Sequence, residues 1–206
     1  MKNFSDKKVY LVTDYRIPFE ELLEKTEEAL KAGVKLIQYR DKGISTKLMC
    51  DRAEKLRNLC NRYNAIFLVN DRVDVAMAVD ADGVHVGQDD MECSLARNLL
   101  GVDKIIGVST KTLEESKKAL DDGADYLGCG AIYSTSTKDT SVLSISNLKE
   151  IKDNINLPIY GIGGINTENI TDELKDLLDG VAVITAILNS DNIKESIKKF
   201  KSILEE

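Results

Sequence analysis

"AIFLVNDRVDVAMAVDADGVHVG", residues 65–87, contains one complete structural unit. Residues 65–70 form a continuous apolar run that ends in Asn70, which reads as a strand buried on both faces. "RVDVAMAV" (72–79) reads as a short helix. "DGVHVG" (82–87) is a second apolar run and a second strand. Strand, helix and strand in this order make a βαβ unit, and its right-handed crossover lays the two strands parallel.

The same pattern extends in both directions. Upstream lie the strand "VYLVT" (9–13), the helix "FEELLEKTEEALKAG" (19–33), the strand "KLIQYR" (35–40) and the helix "STKLMCDRAEKLRNLCNRY" (45–63). Leu22, Leu23, Ala29 and Leu30 fall near helical spacing in the first helix, with Gly33 as its stop. Ser45 or Thr46 caps the second. Downstream, helices at 92–101, 113–123, 144–155, 167–178 and 191–204 alternate with strands at 104–110, 125–131, 157–164 and 180–187. That gives eight strands and eight helical segments in strict alternation. The fold class is therefore α/β: a single (β/α)8 TIM barrel with parallel strands over residues 1–206, at the small end of its size range. A doubly wound open sheet competes, but its glycine-rich fingerprint belongs in the first βα turn. That turn is "TDYRIP" (13–18), which has no glycine.

Composition limits the partners. The net charge of -7 argues against nucleic acid and anionic membrane surfaces, while still permitting an anionic small molecule in a pocket of opposite local field. Cys50, Cys60, Cys93 and Cys129 form no CxxC pair, so they read as free thiols in a reducing cytoplasm. The first residues, "MKNFSDKKVYLVTD", are too polar for a signal peptide, and no apolar run approaches the roughly 20 residues that span a bilayer.

A barrel keeps its chemistry at the C-terminal ends of its strands. Strand two ends in "QYRDK" (38–42), where Gln38, Arg40 and Lys42 alternate on one face and suit a phosphate or diphosphate. An ordinary solvated loop with salt bridges is the competing reading. Strand three ends in Asn70 and Asp71, and strand four leads to Gln88, Asp89 and Asp90. Two carboxylates there, without imidazole or thiolate partners, suit Mg²⁺. Alternatively these residues cap the following helices, for which Asp71 is well placed. His85, the single histidine, lies within an apolar strand and reads as a hydrogen-bonded core residue. Strand five ends in Ser109 and Thr110. Strand six runs into "IYSTSTKD" (132–139), four hydroxyls followed by Lys138. Strand seven ends in "GIGG" and strand eight in "VITAI", where Gly163, Gly164, Ile184 and Thr185 fit the phosphate site that commonly follows strands seven and eight. The mouth thus offers a cationic site and a separate site of amides and hydroxyls. This suggests two phosphorylated substrates, or one with phosphate at both ends.

"YLVTD", "QYRDK", "FLVNDRVDVAMAVDADGVHVGQDDM", "IIGVST", "ADYLGCGAIYSTSTK", "PIYGIGGI" and "GVAVITAI" together resemble the thiamine-phosphate synthase family, collinearly from about residue 9 to 188. The resemblance implies a Mg²⁺-dependent transferase with one ion per subunit. It implies condensation of 4-amino-2-methyl-5-(diphosphomethyl)pyrimidine with thiazole phosphate, by a dissociative mechanism with a pyrimidine carbocation. Carried onto this chain, Gln38, Tyr39, Arg40, Asp41, Lys42, Asn70, Ser109 and Lys138 take the pyrimidine diphosphate. Arg40, Lys42, Ser109 and Lys138 are the catalytic set. Thr135, Ser136, Thr137, Gly164, Ile184 and Thr185 take the thiazole phosphate, and Asp71 and Asp90 hold the metal. Ala131 and Ser134 replace prolines common in the family, and Tyr39 replaces an aliphatic residue and should point away from the mouth. The rivals are a thiazole tautomerase-like isomerase, which should lack a complete diphosphate site, and a non-catalytic phosphate-binding barrel. The implied partners are small phosphorylated substrates, with a homo-oligomer left open.

Overall fold

A computed structural model describes residues 4–135 and 141–205. Eight parallel strands close into a barrel: β1 (Val9–Val12), β2 (Leu36–Tyr39), β3 (Ile66–Asn70), β4 (Gly83–Val86), β5 (Ile105–Thr110), β6 (Tyr126–Gly130), β7 (Ile159–Ile162) and β8 (Gly180–Val183). Each strand bonds the next in sequence, and β8 returns to β1 through the register Leu11↔Val183. The outer layer is α1 (Phe19–Lys31), α2 (Thr46–Arg62), α3 (Val73–Ala78), α4 (Cys93–Leu100), α5 (Leu113–Asp121), α6 (Ile145–Asn154), α7 (Asp172–Leu177), α8 (Thr185–Leu188) and α9 (Ile193–Glu205).

Two elements differ from the sequence reading. The segment 180–187 is not one strand: β8 stops at Val183, and Thr185 opens the short α8. The helix expected from Thr167 begins only at Asp172, because Thr171 is the residue whose side chain caps it, accepting from the amide of Leu174 at 3.2 Å. Hydroxyl caps also start α2 at Ser45, α5 at Thr112 and α6 at Ser144. Lysines satisfy carbonyls where the ring of helices joins: Lys25 reaches Leu188 O at 2.7 Å and Lys201 reaches Gly33 O at 2.8 Å.

Side chains alternate across each strand. Leu11, Ile37, Phe67, Val84, Ile106 and Leu127 face the helices and build the larger core. Tyr10, Leu36, Leu68, Ile105, Tyr126, Tyr160 and Ala182 fill the barrel itself with Phe4. The four rings meet at tilted or edge-on angles, with centroids 5.4–6.2 Å apart. Gly107 makes the room. It stands opposite Tyr126 in the register, and a Cβ added there would lie 2.0 Å from the Cζ of that ring. Gly107→Ala should therefore lower the free energy of unfolding by about 1–3 kcal/mol, the usual cost of overpacking. Urea titration measures this, and an unchanged midpoint would mean that the fully buried ring has space to move.

Candidate active site

The C-terminal ends of the strands surround a cavity of about 970 Å³. Gln38, Arg40, Lys42, Asn70, Asp71 and Asp90 line one side, and Thr135, Gly164, Ile184 and Thr185 the other. Tyr10, Val12, His85, Ser109, Tyr160 and Ala182 also line it. Residues scattered over most of the chain are brought together by the barrel.

The cationic side is preformed. Arg40 has its amide fixed by Thr13 Oγ1 at 2.8 Å, and its guanidinium lies 5.4 Å from the centre of the Tyr15 ring. Lys42 Nζ donates to Asp71 Oδ2 at 2.6 Å. Asp71 has φ of 62°, an uncommon left-handed conformation for a non-glycine residue. Its amide donates to His85 O at 2.8 Å, which bends the chain directly after β3. The capping alternative for Asp71 fails: the N-cap of α3 is Arg72, and no side chain caps that helix. Asp90, rather than Asp89, is hydrogen-bonded to Asp71, and its Oδ2 also accepts from the amide of Gly87 at 2.8 Å.

The two carboxyls of this pair are driven apart in acidity. Burial pushes Asp71 up, but hydrogen bonds from Lys42 and Asp90 outweigh it and hold the carboxyl below the ordinary range. Burial and then the neighbouring Asp71 push Asp90 above that range. Among the described residues no group of three or more acidic, histidine or cysteine side chains gathers as a ready metal cage. Two adjacent carboxylates nevertheless fit Mg²⁺, which takes few protein ligands and completes its shell with water and phosphate oxygens.

On the other side, Ile132 N donates to Ile162 O at 2.9 Å and Tyr133 N to Gly163 O at 3.0 Å, so the chain leaving β6 is tied to the chain leaving β7. Gly164 has φ of +66°, and a Cβ there would lie 2.6 Å from Ser134 O. This close approach sets Thr135 beside Gly164 at the cavity. Ser136, Thr137 and Lys138 lie outside the described residues.

Two members of the diphosphate set turn their side chains away from the cavity, Tyr39 as its place on the strand led one to expect. Tyr39 points away from the mouth, and its hydroxyl donates to Asp41 Oδ2 at 2.8 Å. Asp41 turns the same way, toward α2, where Arg52 Nη1 reaches the same oxygen at 2.8 Å. Neither side chain lines the cavity. Thr110 does line the cavity, with its hydroxyl accepting from Ser116 Oγ of α5 at 2.9 Å. Sequence reasoning passed over Tyr10, Tyr160 and Lys111 as cavity residues. Lys111 directly follows the "GVST" strand end, a position that would have exposed it.

Fold and mouth define a (β/α)8 barrel built to handle phosphorylated small molecules. Residues 9–187 match the family model described as thiamine monophosphate synthase. The chain is 56% identical over 205 residues to the thiamine-phosphate synthase of Clostridium perfringens (strain 13 / Type A), covering 99% of each chain. It is 47% identical over 200 residues to that of Clostridium acetobutylicum, covering 96% of this chain and 94% of the relative. Among solved structures, thiamine phosphate pyrophosphorylase from Pyrococcus furiosus superposes with a TM-score of 0.88 at 38% identity over 98% of both chains. The chain belongs to the thiamine monophosphate synthase family, and its function is that family's transferase reaction, the synthesis of thiamine phosphate in thiamine biosynthesis. Among the described residues, no helix is long and apolar enough to cross a membrane.

The Asp71–Asp90 pair generates a prediction. Because the folded-state pKa of Asp90 is raised, its charged form costs stability at neutral pH, and that cost fades as pH falls through the raised pKa. Asp90→Asn should therefore raise the thermal midpoint of the metal-free protein at pH 7. The gain should shrink in acid, where wild-type Asp90 is already protonated. Melting curves at two pH values test this, and a lowered midpoint at neutral pH would contradict it.

Proposed function

We propose that this chain condenses 4-amino-2-methyl-5-(diphosphomethyl)pyrimidine with thiazole phosphate, releasing diphosphate, with Asp71 and Asp90 holding one Mg²⁺ at the cationic side of the mouth. The observation that carries the proposal is the division of one cavity into two unlike anion sites. Cations and paired carboxylates line the β2–β4 side, where a diphosphate would sit, and hydroxyls and strand-end glycine backbone line the β6–β8 side, where a monophosphate would sit.

When bound, Mg²⁺ would supply positive charge against the diphosphate oxygens. Arg40, held by Thr13 and Tyr15, would present a fixed fork to the same group, and Lys42 would transfer from Asp71 to a phosphate oxygen. Lys138 would add a third cation from the β6–α6 connection. This concentration of positive charge favours departure of the diphosphate before the new bond forms, which is a dissociative path. The carbocation left on the pyrimidine needs a site that excludes water, and Val12, Ile162, Ala182 and Val183 give the cavity an apolar lining for it. Thr135, Ser136 and Thr137, with Gly164, Ile184 and Thr185, would hold the thiazole phosphate so that its ring nitrogen faces the cation. Free thiols at Cys50, Cys60, Cys93 and Cys129 support a cytoplasmic setting.

The deciding experiment mixes the protein with both substrates and Mg²⁺, with and without EDTA, and detects thiamine phosphate as fluorescent thiochrome. Product that vanishes with EDTA is expected; folded protein that yields none would overturn the proposal. A second measurement separates the two sites. Gly164→Ala forces a side chain into a left-handed position against Ser134 O, and should raise KM for thiazole phosphate about tenfold. The KM for the pyrimidine diphosphate should stay within twofold, on the order of ordinary scatter between independent sites. Equal changes in both would show that Gly164 does not serve one site alone.

A further inference from the structure

A chain of hydrogen bonds crosses the barrel interior beneath the cavity. Gln38 Nε2 donates to the hydroxyl of Tyr10. Tyr10 and Tyr126 bond through their hydroxyls at 2.8 Å, Tyr126 bonds His85 Nδ1 at 2.9 Å, and His85 Nε2 bonds Ser109 Oγ at 2.8 Å. The links come from β2, β1, β6, β4 and β5, and Gln38, Tyr10, Tyr126 and His85 are all buried. Both ends, Gln38 and Ser109, face the cavity.

We infer that Tyr10, Tyr126 and His85 form a one-way relay that fixes Ser109 as a hydrogen-bond donor into the cavity, making them positioning residues for the pyrimidine substrate. The direction follows from one end. With the Gln38 amide turned as it is, its nitrogen only donates, so the Tyr10 oxygen accepts from Gln38, and the Tyr10 proton is assigned to Tyr126, the other hydroxyl in reach. Tyr126 then gives its proton to His85 Nδ1. A neutral imidazole that accepts at Nδ1 carries its proton on Nε2, which donates to Ser109. Ser109 has accepted, and its own hydrogen is left for the cavity. Burial keeps both phenols protonated, pushing Tyr10 and, more strongly, Tyr126 above the ordinary tyrosine range. The backbone accommodates the relay: a Cβ on Gly128 would lie 2.9 Å from His85 Cε1, just as one on Gly107 would strike Tyr126.

The polarity has a chemical consequence. With its nitrogen turned inward, Gln38 offers the cavity an acceptor, its Oε1, while Ser109 offers a donor. An aminopyrimidine matches both, because its amino group donates and its ring nitrogens accept. A pyrimidinone, with oxygen in place of the amino group, would demand that Gln38 flip. The flip would reverse each link and turn the hydrogen of Ser109 back toward His85. One relay therefore couples the two contacts to the pyrimidine, so that they change together. The pyrimidine part of the inference rests on the synthase reading; the direction of the relay does not.

The chain has one histidine, so ¹⁵N-histidine labelling gives the NMR spectrum of a single imidazole. The expected result for the substrate-free protein at neutral pH is the neutral tautomer protonated at Nε2; the Nδ1-protonated tautomer would overturn the relay. Kinetics supply the second arm. Tyr126→Phe should lower kcat about tenfold or more, with KM for thiazole phosphate unchanged, on the scale of removing the support of a working donor. In a Ser109→Ala background the same change should have little further effect on kcat, whereas a purely structural role would give additive losses and overturn the inference. If Tyr126→Phe does not fold, Tyr10→Phe enters the same cycle. Folded wild-type protein without turnover would overturn the synthase reading and the pyrimidine part with it, while the tautomer still decides the relay on its own.

Discussion

The space inside an eight-stranded barrel is the constraint on which the rest of this molecule depends. Closure of β8 onto β1 fixes the circumference, and strand alternation fixes which side chains must share the interior. That interior is only wide enough for side chains to fill. Phe4, Tyr10, Tyr126 and Tyr160 occupy much of it because glycine stands opposite Tyr126. The hydroxyls then divide by direction. Tyr160 donates to Lys7 O near the start of the chain, whereas Tyr10 and Tyr126 turn to Gln38 and His85. The aromatic plug thus ends in a polar surface on the side where the strands open, and the cavity rests on that surface.

The outline was legible because the signals for it are local. Apolar runs of four to six residues bounded by polar helices carry their own period, and strand-end polar residues are located as soon as the strands are. The misread elements were those with ambiguous local signals. "ITAI" is as apolar in a helix as in a strand, so β8 ran on into α8. "TENIT" offers two threonines as caps, and the second one serves. Side-chain direction was readable for Tyr39 and for Asp41 two residues on, since alternation puts both on the face opposite Gln38 and Arg40, where Arg52 meets the carboxyl. The relay was not readable at all. Tyr10 and Tyr126 are 116 positions apart, and only closure of the barrel brings them into contact.

The mouth shows a local conflict that the fold sustains. Asp71 is held left-handed after β3, against Asp90, with Lys42 as the partner that makes the arrangement tolerable. Backbone strain and facing carboxyls both cost stability in isolation, and such costs collect where a ligand is to be bound. In this structure the Lys42 ammonium is the positive charge that offsets the paired carboxyls.

The two interior glycines have a consequence for how this sequence can change. Tyr126 fits only while position 107 lacks a Cβ, and His85 is crowded by any side chain at 128. Each phenol in turn satisfies a neighbour that would otherwise be buried with an unmet hydrogen bond. Substitutions at these positions are therefore epistatic: one that is harmful alone becomes acceptable once its partner has changed. Drift in this part of the barrel should proceed by linked replacement of whole groups, while the outward faces of the same strands vary residue by residue.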